Sequence, residues 1–212
     1  MFPNRNYQKE LDDLIREMRQ EGRRCKLLLH SCCAPCSSYV LEYLSGLFDM
    51  TLYFYNPNIT EPEEYGKRLT EWKRLCASFP VEIVEGAYEP EKFFVMAEGL
   101  EKLPEGGARC FLCYEMRMRA AASLAKEIGT DYFTTSLSIS PHKNAAKINE
   151  IGERLAHEYG VKHLPSDFKK KNGYKRSIEL SKEYGLYRQN YCGCIYSREA
   201  ARKAFSSRLQ ES

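Results

Sequence analysis

The chain has 212 residues, 43% of them hydrophobic and 29% charged, with a formal net charge of +3. This is the composition of an ordinary globular enzyme, long enough to bury a core without disulfide staples, and no run approaches the roughly 18 apolar residues of a membrane span. A balance of +3 is too weak to establish a nucleic-acid partner, so local basic runs have to carry that case.

In chain order, residues 7–22 place Leu11, Leu14, Ile15 and Met18 on one helical face. The opening stretch lacks an apolar segment of signal-peptide length, so the expected compartment is the cytoplasm, where thiols stay reduced. Residues 26–30 read as a short buried strand running into Cys32-Cys33-x-x-Cys36, and Val40, Leu41, Leu44 and Leu47 follow at helical spacing. A second strand over 50–55 stops at Asn56-Pro57, and Tyr65, Leu69, Trp72, Leu75, Cys76 and Phe79 mark a strong helix. Residues 81–84 are a third strand, 88–107 a helix and a Gly-rich loop, and a long helix runs from near Cys110 to Ile128. A fourth strand is expected over 131–137, a helix over 144–159 and a short fifth strand over 161–164. The remainder is helical and polar. Strands alternating with helices imply right-handed crossovers and a mostly parallel α/β sheet, with ligands beyond the carboxyl ends of the strands. No linker or repeat interrupts 1–212, so one domain is expected, with 166–212 as a helical extension carrying the last cysteines.

Nine cysteines in a reducing compartment favour metal or catalysis over bridges, and an odd number cannot pair completely within the chain. Seven fall into three groups: Cys32-Cys33-x-x-Cys36, Cys110-x-x-Cys113 and Cys192-Gly-Cys194. Soft thiolates select zinc or iron–sulfur centres. A structural zinc site needs four ligands and seven exceed that; one four-cysteine cluster plus a three-thiolate metal, two zinc ions sharing ligands, or a cluster with an open iron all fit. Cys32, Cys33, Cys110 and Cys113 sit at expected helix starts, where the positive dipole end favours thiolate. Cys76, on an apolar stripe, and Cys25, without a close partner, read as structural.

The groups and their flanks resemble the cobalamin-independent epoxyqueuosine reductase family (QueH). The resemblance rests on His30-Ser-Cys-Cys-Ala-Pro-Cys36, Tyr55-Asn-Pro-Asn58, Arg109-Cys-Phe-Leu-Cys-Tyr114 with Arg117, the run from Thr134 to Lys143, Asp167-Phe-Lys-Lys170 with Asn172-Gly-Tyr174, and Leu186 through Cys194 with Tyr196-Ser197. It implies a Rossmann-like fold of the nucleotide α-hydrolase or PP-loop type, and reductive removal of the epoxide oxygen of epoxyqueuosine in a tRNA anticodon loop. It further implies a 4Fe–4S cluster beside a single metal ion, expected to be iron, and an external electron donor. The ligand division inferred here gives the cluster Cys33, Cys110, Cys113 and Cys194, and the lone metal Cys32, Cys36 and Cys192.

Losing an epoxide oxygen as water takes two electrons and two protons. Tyr114, Tyr191, His30 and Asp167 are candidate proton donors, with His30 more simply a satisfied histidine at a strand end. Lys169, Lys170, Lys171, Tyr174 and Arg176 form the densest basic stretch, and Arg188 precedes the last cysteine pair; these are the expected RNA contacts, phosphates to the cations and an unpaired base to a tyrosine. Ser138, Ser140, His142, Lys143 and Asn144 either line a pocket or cap the next helix. Two rivals stand. A PP-loop-type tRNA sulfur transferase needs glycines to bring backbone N–H groups onto phosphate, and Ser31-Cys-Cys-Ala-Pro-Cys36 has none. A zinc-stapled RNA-binding module would be colourless.

Overall fold

In the computed structural model, which describes residues 5–210, one open sheet of five parallel strands is covered by helices on both faces, a Rossmann-like α/β architecture. Helix α1 (Tyr7–Gln20) leads into β1 (Cys25–His30), α2 (Ala34–Leu44), β2 (Phe48–Phe54), α3 (Pro62–Cys76) and β3 (Glu82–Glu85). Then come α4 (Pro90–Ala97), α5 (Ala108–Glu127), β4 (Tyr132–Thr135), α6 (Ala145–Tyr159), β5 (Lys162–His163), α7 (Gly173–Glu183) and α8 (Ile195–Gln210). The strand order is β3-β2-β1-β4-β5, so the chain reverses its winding between β1 and β4. A crevice opens at that switch point beyond the strand carboxyl ends.

Alternation along the strands divides the core. Leu27 and Leu29 of β1 join Met50, Leu52 and Phe54 of β2 beneath α1, α2 and α3, around Trp72. Leu28 points the other way, with Phe133, into the layer formed by α5 and α6. Cys25 and Cys76 are buried in the first layer, as expected of structural cysteines. The edge strand β3 is largely exposed and carries Glu82 and Glu85, charges that blunt an open edge.

Side-chain caps set several boundaries. Asn6 accepts from the Lys9 amide at the start of α1, and Asn144 accepts from the Lys147 amide at 3.0 Å to open α6, which Gly160 ends at a φ of 70°. The fourth strand is shorter than expected. Thr135 Oγ1 accepts from the Leu137 amide at 3.2 Å and turns the chain into a 3-10 turn over Ser136–Ile139. The C-terminal portion is helical as read, and α7 packs against α2. Among the described residues no helix is long and apolar enough to cross a membrane.

Candidate metal centre

The turn leaving β1 is the first wall of the site. Cys33 is the N-cap of α2, whose first turn carries Pro35, so Cys32, Cys33 and Cys36 project from one bend. Their Sγ atoms lie within 4.8 Å of one another, a set that can hold a metal ion. The Cys32 amide donates to Ser136 Oγ at 3.1 Å and the Ser136 hydroxyl donates to Cys32 Sγ at 3.4 Å, which ties the bend to the end of β4 across the switch point.

Helix α5 brings Cys110 and Cys113 from the other side. Together with Cys192 and Cys194 they line a small closed space that Tyr114, Arg117 and Lys143 also border. A larger cavity of about 680 Å³ adjoins it, lined by Cys32, Cys36 and Cys192 together with Lys143, Tyr174, Arg188 and Tyr191. Cys192 and Lys143 border both spaces, so the three cysteine groups meet at one place. All nine cysteines are free thiols.

The donor set suits a bound cationic metal. Among the described residues no carboxylate pairs with Arg117 or Lys143, yet both sit among the thiols. Arg117 is 1% exposed: its Nε donates to the Cys113 carbonyl at 3.2 Å, its Nη1 reaches Asn56 Oδ1 at 3.5 Å, and its Nη2 has no partner. Burial pulls the Lys143 ammonium towards neutrality, and the thiols of Cys192, Cys32 and Cys36 outweigh it, leaving its pKa raised. Uncompensated buried cations are costly, and a ring of metal-bound thiolates is the anionic partner they lack. The residues present therefore fit an iron–sulfur or other thiolate-bound metal.

Burial overrides the helix-dipole effect expected from sequence. It raises the Cys110 thiol, pushes Cys113 to about 12 and raises Cys194. In the Cys32–Cys33–Cys36 set the hydrogen bond from Cys33 lowers Cys32 well below an ordinary thiol, and Cys33 itself is pushed up to about 12 by its bond to Cys32.

The other expected residues divide. His30 is fully buried: Thr135 Oγ1 receives the Leu137 amide and so donates to His30 Nδ1 at 2.8 Å, while Nε2 donates to the Tyr55 carbonyl at 3.0 Å. Burial lowers its pKa to about 4, so it is a neutral structural histidine. Asp167 is bonded to Lys169 at 2.5 Å and lines neither space. Tyr114 and Tyr191 border the small and large spaces respectively, and burial raises both phenols, which keeps them protonated. Of the basic stretch, Lys171 pairs with Asp12 and Arg176 with Glu42 and Glu183, and Lys170 is exposed. Ser140, His142 and Lys143 line the cavity, Asn144 is a cap, and Ser138 bonds Ser166 inside the core. Sequence reading missed Arg68, which is 2% exposed, lines the cavity and donates to the Cys192 carbonyl at 2.8 Å. Nothing in the heptad-like pattern of α3 distinguishes it from a solvated arginine.

A Rossmann-like sheet with a thiol-lined crevice at its switch point defines the class as a protein built to hold metal on cysteines. Comparison with known proteins narrows this. The family model described as Epoxyqueuosine reductase QueH matches residues 27–200. A relative of that name from Staphylococcus epidermidis is 46% identical over 200 residues, covering 91% of this chain and 84% of its own. One from Streptococcus pyogenes is 43% identical over 205 residues, 93% and 80% of the two chains, and one from Thermotoga maritima is 36% identical over 177 residues, 81% and 89%. The chain belongs to the epoxyqueuosine reductase QueH family.

Proposed function

We propose that this chain reduces epoxyqueuosine to queuosine in the anticodon loop of a tRNA, with metal held by Cys32, Cys33, Cys36, Cys110, Cys113, Cys192 and Cys194. The observation that carries the reading is the meeting of three cysteine groups beside a cavity of about 680 Å³, with the buried Arg117 guanidinium and the half-buried Lys143 ammonium ion-paired to no carboxylate among the described residues. The stoichiometry is epoxide plus two electrons and two protons to alkene and water. A 4Fe–4S cluster with an adjacent metal ion, taken as iron and held by these thiols, would relay the two electrons from an external donor and would offer Lewis acidity towards the epoxide.

The chain's own residues do the rest. Cys32, Cys33 and Cys36 share one cradle, so any division that sends Cys33 to one centre and Cys32 and Cys36 to another sets both centres against that cradle. The seven thiols are therefore proposed as ligands jointly. Tyr114 and Tyr191, held protonated by burial, are placed to donate protons at their hydroxyls. Arg188 and Tyr174 line the cavity and are assigned to the RNA, a phosphate to the guanidinium and a splayed base to the ring. Lys171 and Arg176 are tied to carboxylates in partly exposed pairs that hold only about 1 kcal/mol or less, so exchanging them for phosphate is cheap, whereas Lys169 is held by Asp167 in a part-buried pair. Lys170 stands exposed with no ion pair among the described residues.

Anaerobic purification with iron, sulfide and zinc quantified, then a single turnover on epoxyqueuosine-containing tRNA with a chemical reductant standing in for the unknown electron donor, tests the reading. A brown protein should convert the nucleoside to queuosine, read by mass spectrometry of the digested RNA. A colourless zinc protein with no conversion favours the zinc-stapled RNA-binding module instead.

A further inference from the structure

The last cysteine pair lies on a segment without regular structure between α7 and α8, and one face of α3 receives it. Arg74 donates from Nη1 to the Tyr184 carbonyl at 2.9 Å and from Nη2 to the Gly185 carbonyl at 3.1 Å. One turn earlier, Glu71 Oε2 accepts the Tyr187 amide at 2.9 Å. Two turns further back, Glu64 accepts the Tyr187 hydroxyl at 3.1 Å and the Arg68 Nε at 2.6 Å. Arg68 then spends its remaining nitrogens on the site itself, Nη1 to the Cys192 carbonyl at 2.8 Å and Nη2 to the Tyr191 carbonyl at 3.3 Å. The spacing 64, 68, 71, 74 puts all four side chains on one helical stripe.

The neighbouring Gly193 sits at a φ of 129°, and a Cβ there would meet Ile59 at 2.9 Å and Arg68 Nη1 at 3.2 Å. The segment thus comes as close to α3 as a backbone without side chain allows. A lysine could not replace this contact, because only the planar guanidinium reaches two carbonyls and a carboxylate at once.

We propose that Arg68, oriented by Glu64, is the positioning residue that sets Cys192 and Cys194 against the five other thiols. The proposal rests on the reading that this pair belongs to the metal centre. Arg68 touches the backbone of the ligand-bearing turn and acts through it.

The test uses the full chain, iron-loaded and then chelated, with amide hydrogen exchange and N-ethylmaleimide labelling both read by mass spectrometry. In Arg68→Met, the amides of Tyr187 and Thr60, which donate to Glu71 and to the Gly193 carbonyl, should exchange about ten- to hundredfold faster, the loss expected for charged hydrogen bonds to carbonyls, while amides of β1 stay at wild-type rates. After chelation, Cys192 and Cys194 should label ahead of Cys110 and Cys113. Tyr187→Phe, which removes only the Glu64 anchor, should show the same pattern more weakly, and carries the test alone if Arg68→Met does not fold. Arg68→Lys should not rescue. Rescue by lysine, or equal acceleration across the whole chain, or unchanged exchange at Tyr187 and Thr60 would each overturn the assignment. Failure of the metal-centre reading looks different: Cys192 and Cys194 would label quickly in the iron-loaded wild type.

Discussion

Replacing Arg117 with methionine should have different consequences in the metal-free and iron-loaded chains. Arg117 is 1% exposed, with Nη2 unpartnered and no ion pair to a carboxylate among the described residues. Exchanging a buried ion for an apolar side chain of similar length is commonly neutral or stabilising by about 1–4 kcal/mol. Against this, Asn56 Oδ1 loses its donor, at about 1–3 kcal/mol for a buried acceptor left bare. The two effects nearly cancel, so the metal-free variant should fall within about 2 kcal/mol of wild type, at most about 8 °C in Tm for a chain of this size. The iron-loaded chain has no such compensation. There the cation faces thiolates, and losing a charged hydrogen-bonding partner costs about 1.5–3 kcal/mol, or roughly ten- to hundredfold in iron affinity. Differential scanning fluorimetry on both forms, with iron retention followed against a chelator, closes the cycle. Equal effects of the substitution on the two forms would refute the idea that Arg117 balances the charge of the thiolates.

Two buried histidines give the metal-free chain an acid-sensitive stability. The His163 ring nitrogens are buried without partners and desolvation lowers its pKa to about 3, while His30 lies at about 4. Both folded values are below the unfolded value of about 6.5, so their contribution is complete above that pH and is lost as pH falls towards 4 and 3, at up to about 1.4 kcal/mol per unit for each ring. His163→Gln should flatten the fall of urea midpoint between pH 6.5 and 4.5, and an unchanged slope would count against a neutral buried ring. Gly173→Ala should lose about 1–3 kcal/mol by thermal denaturation, because a Cβ there would stand 2.0 Å from the Phe168 carbonyl oxygen, a backbone atom that cannot swing aside. Charge reversal at Arg188 should weaken tRNA binding and reduce the salt slope by about one phosphate contact, and reversal at Lys169, Lys170 and Lys171 should do the same to a smaller degree. Filter binding across a salt series measures both, and unaltered slopes would remove these residues from the RNA interface. Full turnover with unchanged iron content in Cys32→Ala or Cys192→Ala would remove that thiol from the proposed metal centre.

The cysteine groups, the alternation of strands and helices, and the placing of Cys32, Cys33 and Cys36 just beyond a strand were all legible along the chain, because each depends on neighbours within a few residues. So was the inert role of Cys25 and Cys76, which follows from apolar periodicity. Local pattern also reached His30, whose polar partners close around a strand end. It did not reach the end of β4, where one threonine hydroxyl turns the backbone.

Charge and opposition belong to the tertiary structure alone. Arg68 and Glu64 have only the i, i+4 spacing of an ordinary helix pair, and it is the segment 124 residues later, laid over them, that buries Arg68 against the Cys192 carbonyl. The expected drop in thiol pKa at helix starts gave way to burial, which no single segment specifies, since desolvation is imposed by elements that arrive from elsewhere in the chain. Periodicity says which face of a helix turns inward; only the packed sheet, winding in opposite senses either side of β1 and β4, decides what that face meets.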